Sequence, residues 1–275
     1  MRDEGETIGF VPTMGALHTG HMSLIHRCVT ECDRTLVSIF VNPTQFGPHE
    51  DLDRYPRDLA RDSQMCQEAG VDALFVPSAE EMYPSDADTW IEVPGLSSTL
   101  EGSIRPGHFR GVATVCAKLF NIVQPHRTYF GQKDYQQLLV IQRMAADLNM
   151  PVTIVPCPTV REPDGLAMSS RNAYLDPEGR RAAVVLSRAL SEVRATYDTG
   201  ERSAQVLRTV MRRILAEEPA VVVDYAEIAD PRTLAPVETV EGGAVALAAV
   251  RISGTRLIDN MLLGIGLNHQ PRRGA

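Results

Sequence analysis

The chain has 275 residues, 44% hydrophobic and 23% charged, with a formal net charge of −8 and a pI near 5.4. It is long and apolar enough for one large domain or two modest ones with real cores, which excludes a disordered tail, a collagen-like repeat and a disulfide-stapled miniprotein. No run approaches the roughly 20 apolar residues of a bilayer span, and the start lacks the basic-then-apolar profile of a signal peptide. A soluble intracellular protein with no membrane partner is expected.

Residues 1–159 hold 12 basic and 20 acidic side chains, and residues 160–275 hold 15 of each. Neither part offers the basic surface that a phosphate backbone requires, so a nucleic-acid partner is disfavoured. Lys118 and Lys133 are the only lysines; every other basic residue is arginine. A lysine is a compact point charge where an arginine is a planar fork, which sets these two apart. The five cysteines are odd in number and scattered, and read as small buried hydrophobes of a reducing compartment. A zinc set drawn from His18, His21, Cys28 and Cys32 is disfavoured, because Cys28 and Cys32 fall inside a helical stretch without a knuckle turn.

In chain order, Thr7–Val11 reads as a strand ending at Pro12. His21–Cys32 reads as a helix with Leu24, Ile25, Cys28, Val29 and Cys32 on one face. Thr35–Val41 is a continuous apolar strand of the kind buried on both faces of a parallel sheet. Arg57–Ala69 is helical and closes at Gly70, and Val71–Val76 is again a strand. A helix over Phe109–Val123, a short strand Thr128–Phe130, a helix Tyr135–Leu148 and a strand Val152–Val155 follow. This alternation predicts a Rossmann-like α/β domain over residues 1–159: a parallel sheet covered by helices, with ligands at the carboxyl ends of its strands.

After Pro156 and Pro158 the rhythm changes. Asp176-Pro177 starts a helix, with Asp at the N-cap and Pro at the first helical position, running to about Tyr197. A second helix spans Ser203–Glu217. Strands are expected at Val221–Ile228, Gly243–Ile252 and Leu257–Leu263, with a turn at Ser253-Gly254-Thr255. Residues 160–275 are therefore expected to form a smaller α+β domain with a mostly antiparallel sheet.

Four segments carry candidate chemistry. Pro12 to His21 (P-T-M-G-A-L-H-T-G-H) runs from a strand end into a helix N-terminus, where free amides and the helix dipole favour an anion. Gly15 and Gly20 allow close approach to a phosphate, and His18 and His21, three apart on a helical turn, are expected to face the same way. Phe130-Gly131-Gln132-Lys133-Asp134-Tyr135-Gln136-Gln137 closes a later strand in the same manner. Asp134 and Gln137 there fit a capping box, which leaves Gly131 and Lys133 unexplained and points Lys133 to a phosphate or carboxylate. Arg161 to Arg171, with Ser169, Ser170 and Arg171 on a Gly/Pro-containing loop, reads as a mobile polyphosphate clamp. Finally, Asn42-Pro43-Thr44-Gln45-Phe46-Gly47-Pro48 offers the Gln45 amide to a hydroxyl or carboxylate. Each segment also has a plainer reading, as surface histidines, helix punctuation, a polar loop and a turn.

His18-x-x-His21 together with Met168-Ser169-Ser170-Arg171 resembles the paired HIGH and KMSKS signatures of nucleotidyl transferases and aminoacyl-tRNA synthetases. The fuller strings, G-F-V-P-T-M-G-A-L-H-T-G-H, N-P-T-Q-F, Y-F-G-Q-K-D-Y-Q-Q and M-S-S-R-N, resemble the pantoate–β-alanine ligases from about Ile8 to Leu175. The family usually carries a further segment, including a helix, before the first strand, where this chain has about seven residues. That bears on cover for the sheet edge more than on catalysis.

The resemblance implies an ATP-dependent ligase of the coenzyme A pathway that forms pantothenate through a pantoyl adenylate, releasing pyrophosphate and then AMP. It implies ATP binding by Met14, Gly15, Ala16, Leu17, His18, Thr19, Gly20 and His21, by Gly131, Gln132, Lys133 and Asp134, by Val160, and by Met168, Ser169, Ser170 and Arg171. Catalytic roles are implied for His18, His21, Lys133, Ser169 and Arg171. Gln45 and Gln137 would hold pantoate, and Gln45 would also border β-alanine. Mg²⁺ would accompany the triphosphate with no dedicated protein ligands, and Phe46–Arg57 would act as a lid. A cytoplasmic homodimer is expected. The alternative is another HIGH-type nucleotidylyltransferase acting on a small phosphorylated acceptor. A tRNA-charging enzyme fits less well for want of a basic appendage, and a non-catalytic nucleotide sensor would not need both histidines and Lys133.

Overall fold

The computed structural model describes residues 5–48 and 50–267. The first of its two units takes the described residues up to Gly131 together with Gln136–Cys157, and the second takes Gln132–Tyr135 and the described residues from Pro158 onward.

Five short runs rich in β-branched and aromatic residues pair as parallel strands in the first unit: β1 (Ile8–Thr13), β2 (Arg34–Ile39), β3 (Ala73–Phe75), β4 (Arg127–Gly131) and β5 (Thr153–Cys157). Their order is β3-β2-β1-β4-β5. The helices between them are α1 (Thr19–Glu31), α2 (Leu59–Glu68), α3 (His108–Val123) and α4 (Tyr135–Asp147). Leu24, Ile25 and Cys28 of α1 and Cys66 of α2 meet Val11, Val37, Tyr129 and Cys157 of the sheet in one buried cluster. Gly9 is required there, because a Cβ at that position would strike the Cys28 and Cys32 sulfurs. The strand order reverses between β1 and β4, and such a reversal opens a ligand crevice beyond the carboxyl ends of those two strands.

β1 continues through Pro12, where it was expected to stop, and ends at Thr13. Pairing to β4 is confined to Gly9 and Phe10, while pairing to β2 continues to Thr13↔Ile39. The proline, with no N–H to give, thus falls where only one neighbouring strand is paired. Between β3 and α3 the chain makes three single helical turns, Ala79–Met82, Pro94–Ser97 and Glu101–Ile104, for which the hydrophobic pattern gave no expectation.

The second unit carries an antiparallel sheet of β6 (Val221–Ala229), β7 (Ala244–Ile252) and β8 (Thr255–Leu263), with β7 central. Its helices are α5 (Pro177–Ala182), α6 (Val184–Asp198) and α7 (Ala204–Leu215). Asp176 caps α5, its carboxylate accepting from the Gly179 amide at 2.6 Å. The single helix expected up to Tyr197 is divided at Ala183, where a tighter bond from the Leu186 amide to the Ala183 carbonyl breaks the α-helical ladder. Val185, Leu186, Ala189, Leu190 and Val193 of α6 and Leu207, Met211 and Ile214 of α7 share one core with Ala226, Ile228, Ala246, Ala248 and Val250 of the sheet.

Candidate active site

The segment between β1 and α1 is held rigidly. Thr13 donates its hydroxyl to the Ser38 carbonyl at 2.7 Å and accepts from the Gly15 amide at 3.1 Å. Gly15 (φ +77°) and Ala16 (φ +51°) then turn the chain through the left-handed region. A non-glycine residue there costs about 1–2 kcal/mol, so something must hold Ala16. That group is Asp62 of α2, 1% exposed. Its two carboxylate oxygens accept separately from the Ala16 and Leu17 amides, each at 2.8 Å. The Arg61 guanidinium grips the Leu17 carbonyl at 3.1 Å.

Leu17 passes directly into the histidine pair. His18 is the N-cap of α1, in extended conformation, and its Nδ1 accepts from the Gly20 amide at 3.1 Å. A nitrogen that accepts carries a lone pair, so in this geometry Nε2 is the protonated atom. His21 occupies the third position of the helix. The rings lie 4.1 Å apart between centroids at 36°. The shared orientation expected from helical spacing is therefore present, but it arises from a cap and a helical residue rather than two helical residues.

In the same unit Gln45, 8% exposed, sits in a single 3-10 turn, Pro43–Gln45. Asn42 donates to its Oε1 at 3.1 Å, and Gln45 Nε2 points to the Met14 sulfur at 3.0 Å. The Gln45 carbonyl is gripped by His108 Nδ1 at 2.8 Å and Arg105 Nη2 at 3.3 Å. Arg105 also forms a two-pronged bridge to Glu50, at 2.7 and 2.5 Å. Since a carbonyl only accepts and a guanidinium only donates, His108 carries its proton on Nδ1 and offers Nε2 to Arg105 at 3.1 Å. Burial, reinforced by the Arg105 cation, pushes His108 down to about 4. Burial alone would raise the Glu50 carboxyl, but the Arg105 guanidinium holds it below the usual range. Phe46 and Tyr55 meet edge to face at 5.9 Å within the expected lid stretch, whose residue 49 lies outside the described residues. Of the adjacent glutamines on α4, Gln136 is spent on backbone, donating to the Leu96 and Thr99 carbonyls and accepting from the Glu101 amide. Gln137 is partly exposed.

In the second unit, Gln132–Asp134 forms a 3-10 turn running straight into α4. The Lys133 ammonium lies 3.4 Å from the Asp134 carboxylate. The stretch expected as a mobile clamp is a braced hairpin at its base. The Met168 amide bonds the Val160 carbonyl at 3.0 Å, and the Glu162 amide the Leu166 carbonyl at 2.8 Å. Arg180 ties Glu162 and Asp164 at 2.6 and 2.7 Å. Ser169 then caps a short 3-10 turn, Ser170–Tyr174, its hydroxyl accepting from the Arg171 amide at 3.3 Å.

Several of these residues were not singled out from sequence. Asp62 stands four residues before Cys66, so helical spacing would have placed it on the inward face of α2. Asp259, which binds Arg161, and Asn260, which binds the Gln132 carbonyl, interrupt the apolar strand β8, a signal that something polar must satisfy them. Arg105 and His108 stand three apart at the start of α3, and nothing local marks their partners Gln45 and Glu50.

A doubly wound sheet, a rigid loop ending in two adjacent imidazoles at a helix N-terminus, and a buried side-chain amide beside it are the features of a nucleotide-using ligase or transferase with a small polar co-substrate. Comparison with known proteins narrows this. The family model for pantoate-beta-alanine ligase matches residues 1–262. A pantothenate synthetase of Pelotomaculum thermopropionicum is 56% identical over 263 residues, 96% of this chain and 93% of the relative. The crystal structure of pantothenate synthetase from Thermus thermophilus superposes with a TM-score of 0.91 at 52% identity, covering 93% of each chain. The pantoate-beta-alanine ligase of Francisella tularensis, described as complexed with beta-gamma ATP and beta-alanine, gives a TM-score of 0.79 at 35% identity, covering 96% of this chain and 93% of that one. The chain belongs to the pantoate-beta-alanine ligase family. Its reaction is the ATP-dependent joining of pantoate to β-alanine, and the alternative of a phosphorylated acceptor gives way to it.

Proposed function

We propose that the reaction proceeds through a pantoyl adenylate, with the residues singled out from sequence in the following roles. The pantoate carboxylate attacks the α-phosphorus of ATP and pyrophosphate leaves. The β-alanine amine then attacks the acyl carbon, AMP departs with the electron pair, and the amine loses a proton. A carboxylate is already a nucleophile, so the first step asks the protein for position and charge neutralisation rather than a strong base.

His18 and His21 supply hydrogen-bond donors to the phosphates, and Met14–His21 line the nucleotide. Lys133 and Arg171 neutralise developing charge, and the Ser169 hydroxyl donates to a phosphate oxygen. Gly131, Gln132, Asp134, Val160, Met168 and Ser170 complete the nucleotide contacts. Gln45 and Gln137 hold pantoate, and Gln45 also borders β-alanine. Mg²⁺ enters as part of the MgATP substrate. The triphosphate oxygens are expected to be its main ligands, since Mg²⁺ is ordinarily held by substrate phosphates and water. Phe46–Arg57 closes over the site, because an adenylate must be kept from water until the amine arrives.

The observation that carries this reading is the fixed loop Thr13–His21. Two successive amides are spent on Asp62, a third on the His18 ring, and the paired, tilted imidazoles that result stand at the start of α1. Such preorganised donors suit charge that develops on a phosphate. No helix among the described residues is long and apolar enough to cross a membrane, and all five cysteines are unpaired. The proposed setting, a cytoplasmic homodimer, rests on the family resemblance. The test is isotopic: pantoate labelled with ¹⁸O in its carboxyl group should deliver one labelled oxygen to AMP. Unlabelled AMP would exclude the adenylate.

A further inference from the structure

A heavily engaged polar pair outside the established motifs lies on β8. Asp259 and Asn260 are adjacent, 3% and 2% exposed, in a strand that is otherwise mostly apolar. Buried polar groups need partners, and theirs are informative. The Asn260 side-chain NH₂ donates to the Gln132 carbonyl at 2.9 Å and to the Lys133 carbonyl at 3.0 Å. Its Oδ1 accepts from the Gln132 side-chain Nε2 at 3.0 Å. Those two carbonyls belong to the peptide planes on either side of the Lys133 Cα. One side chain, 127 residues away in sequence, therefore fixes both planes and with them the direction in which the lysine leaves the backbone.

Asp259 serves the other nucleotide segment. Its carboxylate binds Arg161 in two-pronged fashion, at 2.6 and 3.0 Å, and also accepts from the Asn260 amide at 2.8 Å. Arg161 in turn donates to the Gly165 carbonyl at 3.0 Å, inside the hairpin that leads to Met168–Arg171. Bidentate arginine–carboxylate pairs define geometry as well as strength.

We propose that Asn260 is the positioning residue for Lys133. With Asp259 it ties the lysine turn and the Arg161 hairpin to one rigid strand, so that the two phosphate-facing segments are held in register. The proposal rests on the assignment of Lys133 to the ATP phosphates. A lysine side chain has many rotamers and brings its charge reliably to one place only if its base is fixed. Asn260 touches no reacting atom. It acts through Lys133.

A double-mutant cycle on the full-length protein separates that route from general stabilisation. Asn260→Asp keeps the shape of the side chain and removes the NH₂, setting a carboxylate against two carbonyl oxygens. Asn260→Ala removes grip and repulsion together. Each is combined with Lys133→Ala, and pantoate-dependent pyrophosphate release is followed in single turnover, with kcat and the KM for ATP separated in steady state and melting curves in parallel. Lys133→Ala alone is expected to slow adenylation. Either Asn260 variant is expected to slow it about tenfold or more while the protein remains folded, and to add less than about twofold once Lys133 is alanine. A full tenfold loss repeated in the Lys133→Ala background would overturn the proposal, as would unchanged adenylation in a folded Asn260 variant. Failure of both Asn260 variants to fold would make the residue a core-stability element and also refute the positioning role. A wild-type rate in Lys133→Ala would instead dismiss the assignment of the lysine itself.

Discussion

Asp62→Asn removes half of a buried grip without changing its size. In the wild type each carboxylate oxygen accepts one amide at 2.8 Å, from Ala16 and Leu17, at a site 1% exposed. Hydrogen bonds to a charged acceptor contribute roughly 1.5–3 kcal/mol each. The asparagine retains one acceptor and turns its NH₂ against the other amide, so the loss is about one such bond plus an unsatisfied donor, roughly 2–4 kcal/mol. Ala16, at φ +51°, would then relax toward negative φ and recover about 1–2 kcal/mol of backbone strain. The net loss of stability is therefore about 0–3 kcal/mol, which corresponds to a fall in melting temperature of at most roughly 10 °C for a chain of this size. The catalytic loss should exceed what that fall implies, because relaxation at Ala16–Leu17 carries His18 away from its cap. Single-turnover pyrophosphate release measured well below the melting range should drop by tenfold or more. A variant that melts lower yet adenylates pantoate at the wild-type rate would refute the idea that Asp62 shapes the histidine loop; one that is unaltered in both would refute the grip itself.

Three further outcomes are expected. His18→Ala and His21→Ala should each slow adenylate formation by roughly two to three orders of magnitude, the usual loss for one preorganised donor, and rapid-quench rates near wild type would remove both from the mechanism. Lys133→Ala should impair use of ATP while the protein stays folded, since among the described residues its ammonium meets only the Asp134 carboxylate, at 3.4 Å; ATP titration beside a melting curve checks this. His108 is held near pKa 4 against about 6.5 when unfolded. The unfolded chain therefore binds more protons between those values, so stability is complete above about pH 6.5, falls as pH drops through the window and levels off below about 4, by at most about 3 kcal/mol. Denaturant titrations of His108→Gln should show a flatter acid limb, and an unchanged slope would argue against a neutral buried ring.

The secondary-structure alternation of the first unit was legible, because strands inside a parallel sheet show as mostly apolar runs: Thr35–Val41 was expected, and β2 spans Arg34–Ile39. The histidine pair was legible for the same local reason: a strand end, glycines and a helix start lie within ten residues. What stayed hidden depends on partners far along the chain. Asp62 looks like any acid on an amphipathic helix until α2 is laid against the β1–α1 loop. Asn260 has meaning only when β8 lies beside Lys133. The break at Ala183 was likewise invisible, since apolar spacing continues through it and only the hydrogen bonding tightens. The capping box Ser78–Glu81, by contrast, was written locally and was passed over.

The most direct measurement supplies ATP, Mg²⁺ and pantoate without β-alanine and follows the acyl intermediate by mass spectrometry in rapidly quenched samples. One equivalent of pantoyl adenylate and one of pyrophosphate should form per active site, with AMP appearing only after β-alanine is added. Pyrophosphate that waits for the amine, with no enzyme-bound acyl phosphate ester at any time, would contradict the two-step account.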